Sequence, residues 1–291
     1  MPSALRTPST PLYAALVAGV AGLALVAASS VEARPAGTPI AHPADAFDSH
    51  EALYRMTLEG KGEDVGIDDL TGVLGLKWER SCEGFTFTEW MTSYFWDFDG
   101  NEYWSDIRST TWESRDRQSY GFSVTDRTNG VVSKSLSGQA RWPETPPGEP
   151  RIGLIDFNEA NEPSIELPAG TAFPSLHLGL LVEAAKAGKA SLRRPVFDAV
   201  GETQVYDSVA TIKPLPDGHA SGIKRLDTER AWYMLVSYFL REAKEPQPNY
   251  EVGFVVYENG IVDDLVATYD DELAVRADLT SLDYLPAGGG C

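Results

Sequence analysis

Alternation of apolar and polar side chains along most of this 291-residue chain is the feature that most constrains its fold. In residues 132–142, for example, serine, glutamine and arginine alternate with Val132, Leu136, Ala140 and Trp142. Such period-two alternation is typical of strands with one buried face and one face in water. About a dozen runs of this kind follow residue 50, a number that favours a barrel, a sandwich or a spiral sheet.

Asp-Gly and Asn-Gly pairs between the apolar runs predict hairpin turns. Asp99-Gly100 and Asn259-Gly260 are the stronger type I′ signals, because both central residues of that turn need positive φ, and Asn129-Gly130 is a weaker third. Within residues 85–96 the alternation changes phase at Glu89-Trp90. This change predicts a β-bulge or a strand that bends around a corner.

One segment departs from the strand pattern. Leucines at helical spacing in residues 174–187, a proline in the first turn and Gly188 at the end predict a single amphipathic helix. Residues 232–240 fit a second helix or a buried strand, and their aromatic and β-branched content favours the strand. We therefore predict an all-β fold with one amphipathic helix, in which the strands form a many-stranded antiparallel sheet.

The first 33 residues have the organisation of a secretory signal peptide. Arg6 precedes an uncharged run over residues 12–28, and Val31 and Ala33 supply the small residues that signal peptidase needs. We predict export and cleavage after Ala33. An uncleaved anchor is the alternative, because the apolar run is at the short limit for crossing a bilayer.

The remainder of the chain is predicted to be an extended, proline-rich arm at residues 34–48 and a single domain at residues 49–291. It contains no further segment long and apolar enough to cross a membrane as a helix. The formal net charge of −19 repels nucleic acid and anionic lipid, so neither is an expected partner.

Two cysteines, Cys82 and Cys291, follow the leader. In an exported chain such a pair predicts a disulfide, which would tie an early strand to the last residue. In the chain-entropy model, a loop this long stabilises the fold by on the order of 5 kcal/mol.

No catalytic or metal-binding pattern stands out in the sequence. The four histidines lack zinc-site spacing, and the glycine in Asp97-x-Asp99-Gly100 comes too early for a calcium loop. There is no Gly-x-Ser-x-Gly, and His177 on the predicted helix is typical of an interfacial residue. We therefore predict no catalytic residue, no metal and no cofactor.

Aromatic residues are concentrated between residues 90 and 120. They fit either a core of large side chains or a concavity that takes up an acyl chain, a glycan or a peptide. The candidates for lining such a cavity are Trp90, Tyr94, Trp96, Trp104 and Trp112.

Several short motifs occur in a fixed order between residues 50 and 291: His50-x-Ala52-x-Tyr54, Cys82-Glu83-Gly84-Phe85, Thr111-Trp112-Glu113-Ser114, Leu167-Pro168-Ala169-Gly170-Thr171 and Tyr257-Glu258-Asn259-Gly260. In this order they resemble the cell-envelope integrity protein B (EipB) family of exported bacterial proteins. The resemblance implies a periplasmic domain whose sheet spirals into a broken barrel around a cavity. It also implies a Cys82–Cys291 disulfide and a role in envelope maintenance without established enzymatic activity.

We therefore expect a non-enzymatic periplasmic protein that supports envelope integrity. Its expected partner is an envelope lipid, a glycan, or a peptide or periplasmic protein, bound in a concave cavity. The alternative is a hydrolase of envelope glycan or lipid that uses a dispersed pair of carboxylates.

Overall fold

The structure is a computed structural model, and it describes residues 41–62, 65–142, 152–159, 162–199, 204–217, 219, 221–241, 247–269 and 272–286. The predicted signal peptide, residues 34–40 of the predicted arm, and Cys291 lie outside these residues.

In the described residues, fourteen strands form one antiparallel sheet, which confirms the predicted all-β class. In chain order they are β1 (His50–Lys61), β2 (Asp69–Arg80), β3 (Gly84–Trp96), β4 (Glu102–Ser114), β5 (Ser119–Thr128), β6 (Val131–Arg141), β7 (Gly153–Phe157), β8 (Ile165–Leu167), β9 (Ser191–Phe197), β10 (Val205–Pro214), β11 (Ala231–Leu240), β12 (Tyr250–Tyr257), β13 (Val262–Tyr269) and β14 (Leu273–Tyr284). The predicted helix is present as α1 (Pro174–Lys186), and Gly188 follows it with φ of 71°. Residues 232–240 lie in β11, as predicted.

The sheet curls into a nearly closed, barrel-like ribbon. Strands that follow one another in sequence are paired, except at β8 and β9, and β1 also pairs with β14. The two free edges, β8 and β9, therefore meet at a seam. The chain after β8 partly spans this seam, because Ala172 forms a parallel bridge with Val196 in β9.

Cross-strand register assigns every side chain to one of two faces. Tyr54 pairs with Leu74 and Trp78 pairs with Phe87, so all four residues share one face. We call this the inner face, because α1 packs over it. The opposite, outer face points away from the helix.

The predicted bulge at Glu89-Trp90 and two of the three predicted type I′ turns are not observed. No register shift interrupts β3 in its pairing with β2 or β4, so there is no bulge at Glu89-Trp90. Of the three predicted type I′ turns, only Asn129-Gly130 has positive φ at both residues, 50° and 80°. The other two glycines lie in longer loops. In the first of these, the Asp97 carboxylate accepts the N–H groups of Asp99 and Asn101 and organises the turn.

A carboxylate from the sheet caps the start of α1. Phe173 occupies the N-cap position and has no side chain that could accept the free N–H groups of the first turn. Glu113 in β4 does so instead, since its Oε2 accepts the backbone N–H groups of Ser175 at 3.0 Å and Leu176 at 3.3 Å. A negative charge is also favourable at this end of the helix dipole.

The same carboxylate connects the helix to the end of the N-terminal arm. Its Oε1 lies 3.3 Å from Nε2 of His42, just before a 3-10 turn at Pro43–Ala46. The turn packs so closely on Gly179 of α1 that a Cβ at this glycine would lie 2.6 Å from Cβ of Pro43. Glu113 therefore joins the sheet, the helix and the arm.

We predict that Glu113→Ala lowers the free energy of unfolding by about 3 kcal/mol, because it leaves buried N–H groups of α1 without an acceptor. Glu113→Gln keeps one acceptor oxygen and should lose less. Urea denaturation followed by circular dichroism measures both. The control is Glu102→Ala, an exposed carboxylate on the same strand, which should change stability by no more than about 0.5 kcal/mol. A similar loss for both alanine variants would contradict the capping role.

Candidate functional site

A cavity of about 180 Å³ lies between α1 and the inner face. Its walls are mainly apolar and come from segments far apart in the sequence. The helix contributes Leu178 and Leu181, and strands on both sides of the β1–β14 pairing contribute Tyr54, Trp78, Phe87 and Phe254. Every contributing strand presents its inner-face residues here, as the register requires.

Two histidines at the cavity are held in their neutral form. Burial, and to a smaller extent the charge of Arg194, lowers the pKa of His177 to about 4. Its Nε2 lies 3.0 Å from Oγ of Ser208, which in turn donates to the Arg194 carbonyl. Burial also lowers the pKa of His50, against the raising effect of Asp48, whose carbonyl oxygen lies 2.7 Å from Nδ1. The imidazoles therefore place no positive charge in the cavity at neutral pH.

A group of buried acidic and phenolic side chains lies next to the cavity. Asp198 lines it and is 7% exposed, whereas Glu89 of β3 is 3% exposed. Burial raises the pKa of Glu89 well above its ordinary range, and the charge of Asp198 raises it further. The same two causes raise the pKa of Tyr238, whose ring stacks on Tyr250 with the ring centres 4.4 Å apart. Both shifts favour the neutral form of the group.

Sequence reasoning missed Glu89, although a signal was present. Glu89 continues the odd-numbered series of Phe85, Phe87 and Met91, all of which are inner-face residues. The even positions change from threonine to tryptophan and tyrosine after residue 88, and this resembles a shift of the buried face from odd to even positions. Unbroken alternation along β3, with every second residue on the same face, predicts that this carboxyl group lies on the inner face.

The five aromatic residues predicted to line a cavity are on the outer face. On β3 they are Trp90, Tyr94 and Trp96, and on β4 they are Trp104 and Trp112. Tyr94 and Trp112 are 41% and 36% exposed, and the other three are half-buried. None is among the residues that line the described cavity. The five residues share a face, as alternation along the strands indicates, but this face is not the one that lines the cavity. Alternation alone does not show which face of a sheet becomes concave.

The remaining site predictions concern the cysteines, metals and membrane segments. Cys82 lies exposed in the turn between β2 and β3, and its predicted partner Cys291 is outside the described residues. In the part of the chain that the structure describes, no cluster of three or more His, Cys, Asp or Glu side chains could hold a metal ion. Within the same residues, no helix has both the length and the apolar character needed to cross a membrane.

Comparison with known proteins identifies the family. A model of the family described as EipB-like matches residues 41–286. The chain belongs to the EipB-like family. One relative, the cell envelope integrity protein EipB of Brucella abortus (strain 2308), is 26% identical over 260 residues, which cover 87% of this chain and 90% of the relative.

The fold of this family member is also similar to a solved structure. The crystal structure of a β-barrel-like protein of domain of unknown function DUF1849 from Brucella abortus matches with a TM-score of 0.73 and 24% identity. The match covers 82% of this chain and 99% of the solved one. The barrel-like fold is thus shared with that structure.

We predict that His177 makes the protein less stable in acid. Its pKa is about 4 in the folded protein and near 6.5 when unfolded, so the unfolded state binds the proton first as pH falls. The stabilisation from neutral His177 is complete above pH 6.5 and is lost as pH decreases towards 4. Relative to His177→Gln, the wild-type protein should lose about 3 kcal/mol between pH 7 and pH 4. Urea titrations across this range test the difference, and parallel stability curves for the two proteins would contradict it.

Proposed function

We propose that this protein supports cell-envelope integrity from the periplasm by binding an apolar chain of an envelope lipid in the cavity between α1 and the inner face. The observation that carries the proposal is the cavity itself, whose walls are mainly apolar and whose histidines are neutral. The envelope role is supported by the family and by the name of the Brucella relative. Periplasmic location is supported by the leader sequence, with cleavage after Ala33, and residues 49–291 are proposed to form one domain.

Among lipid, glycan and peptide, the cavity favours a lipid chain. Sugar hydroxyls and peptide groups need several hydrogen-bond partners when they are buried. Here His177 and His50 already contact Ser208 and the Asp48 carbonyl. The volume of about 180 Å³ is close to the ~150 Å³ of an engineered apolar cavity that binds benzene, so it fits a segment of an acyl chain.

The positions of the buried carboxyl groups favour binding over the hydrolase alternative. Hydrolysis of a glycosidic bond needs two carboxyl groups that face the substrate on either side of the bond. Asp198 lines the cavity, but Glu89 is 3% exposed and does not line it. Of this pair, only Asp198 is placed to contact a ligand in the cavity.

We predict that filling the cavity prevents ligand binding. Leu178 lines the cavity from α1, so Leu178→Trp should occupy the space of the acyl chain. The probe is 11-(dansylamino)undecanoic acid, a fatty acid whose fluorescence rises in apolar surroundings. The wild-type protein should bind it, and the variant should bind it about tenfold more weakly or worse, because the added ring excludes the chain.

The matched control is Leu180→Trp on the same helix. Leu180 is also half-buried, is not among the lining residues, and lies about 200° around the helix from Leu178. This variant should bind the probe like the wild-type protein. Equal affinities for all three proteins would show that the probe binds elsewhere, and absence of binding to the wild-type protein would refute the lipid proposal.

We also propose the disulfide between Cys82 and Cys291, which the paths of the neighbouring backbone support. Ser49 contacts both segments. Its backbone carbonyl accepts the N–H of Leu285, and its side-chain hydroxyl accepts the N–H of Arg80. The C-terminal strand therefore ends beside the turn that contains Cys82. Cys291 is six residues beyond Leu285, a stretch that reaches about 20 Å when extended.

We predict that the double variant Cys82→Ser, Cys291→Ser is less stable than the oxidised wild-type protein by about 3 to 5 kcal/mol. Reductant should destabilise the wild-type protein and have no effect on the double variant. A peptide map without reductant should contain one cross-linked peptide joining the two cysteines. Two titratable thiols in the native protein, or an unchanged melting temperature in the double variant, would refute the bridge.

A further inference from the structure

The outer faces of β3 and β4 carry an aromatic surface that the cavity does not use. We call it the outer aromatic face, and it consists of Trp90, Tyr94, Trp96, Trp104 and Trp112. Tyr94 and Trp104 lie directly opposite each other on the paired strands. Neighbouring β2 exposes Val73 beside this face, at 49%.

At least one ring of this face lies flat on the sheet. A Cβ at Gly75 of β2 would lie only 2.1 Å from Cε2 of Trp90 and 2.4 Å from its Nε1. The indole therefore covers the glycine backbone, which is directly opposite it in the register. Trp90 is half-buried, so part of the residue remains accessible to solvent. An indole that covers the sheet and stays partly accessible can serve as a platform for stacking.

Four of the five aromatic positions, Trp112, Trp90, Tyr94 and Trp104, form a row of even spacing along the strands. Trp112 lies opposite Thr86, four residues before Trp90, and Tyr94 lies four residues after it. Four residues of strand measure about 13 Å, so the row from Trp112 to the Tyr94 and Trp104 pair is about 26 Å long. An extended chain with repeating flat units matches such a row.

Polar groups between the rings are hydroxyls and paired charges. Thr88, Thr92 and Thr110 share the outer face of β3 and β4, and Ser123 and Thr125 continue it on β5. The charges nearby are paired, since Arg108 donates to both oxygens of Asp106 and a guanidinium nitrogen of Arg127 lies 3.8 Å from the same carboxylate. The surface therefore combines stacking platforms with hydroxyls and a group of paired charges.

We propose that the outer aromatic face binds an extended polysaccharide chain of the envelope. The apolar C–H faces of pyranose rings stack on aromatic rings, and their hydroxyls hydrogen-bond to threonine and serine. Aromatic residues and arginine are also enriched in protein interfaces. What favours a polysaccharide here is the regular spacing of the rings along the strands, with hydroxyls between them. An anionic membrane surface is repelled by the net charge of −19. This site lies on the opposite side of the sheet from the lipid cavity and does not depend on it.

The test uses the full mature chain, with hexamers of N-acetylglucosamine and of β-1,4-linked glucose as probes in calorimetry. The wild-type protein should bind at least one hexamer. The double variant Tyr94→Ala, Trp112→Ala should bind it about tenfold more weakly or worse, because two stacking contacts are lost. Both side chains are substantially exposed, so the urea unfolding midpoint should be almost unchanged. Trp90 is left intact because it covers Gly75.

Two control variants test whether the hexamer binds at the outer aromatic face. Phe98→Ala removes an aromatic ring that is 61% exposed but lies in the β3–β4 turn, and it should leave hexamer binding unchanged. Leu178→Trp, which fills the cavity, should also leave it unchanged. Absence of hexamer binding, or equal loss with Phe98→Ala, would overturn the proposal. Binding to anionic vesicles that the double variant abolishes, without hexamer binding, would also overturn it and indicate a membrane surface instead.

Discussion

Pairing of the first strand with the last determines the shape of the molecule. β1 is hydrogen-bonded to β2 on one side and to β14 on the other, and so it joins the first eight strands to the last six. Without this pairing, β1–β8 and β9–β14 would be two separate open sheets. With it, Tyr54 of β1 donates its hydroxyl hydrogen to the carbonyl of Val262 across the join, at 2.8 Å. The cavity exists because both halves contribute walls to it. The proposed disulfide would reinforce the same join at the end of β14.

The helix α1 covers the interior of the sheet beside the seam between β8 and β9. An open sheet edge leaves backbone groups and inner-face side chains uncovered. α1 follows β8 directly, packs against β9 and β10, and covers the interior with Leu181 and Val182. Because its own N-cap residue has no hydrogen-bonding side chain, the helix depends on Glu113 from β4. A residue of the sheet thus holds in place the element that closes the sheet.

A single pair of strands carries two different chemistries on its two faces. The inner side of β3 and β4 has Phe87 at the cavity, with Glu89 and Glu113 buried nearby. The residues that alternate with these along β3 and β4 point to the outer face, and they include the tryptophans and threonines. The proposed lipid chain and the proposed polysaccharide would occupy opposite faces of the sheet, and so they would not compete.

Much of the fold can be predicted from the sequence, because strands, turns and the helix depend on local chemistry. Period-two alternation indicates the strands, and Pro174 and Gly188 delimit α1. Alternation also shows that Trp90, Tyr94 and Trp96 share a face. Which face is concave is decided by closure of the sheet, which brings β1 and β14 together over more than 200 residues of sequence. For that reason the aromatic row is outside, Glu89 is buried with a raised pKa, and a cap for α1 comes from β4. Those three features depend on contacts between segments that are far apart in the chain, and the local sequence pattern does not show which distant segments meet.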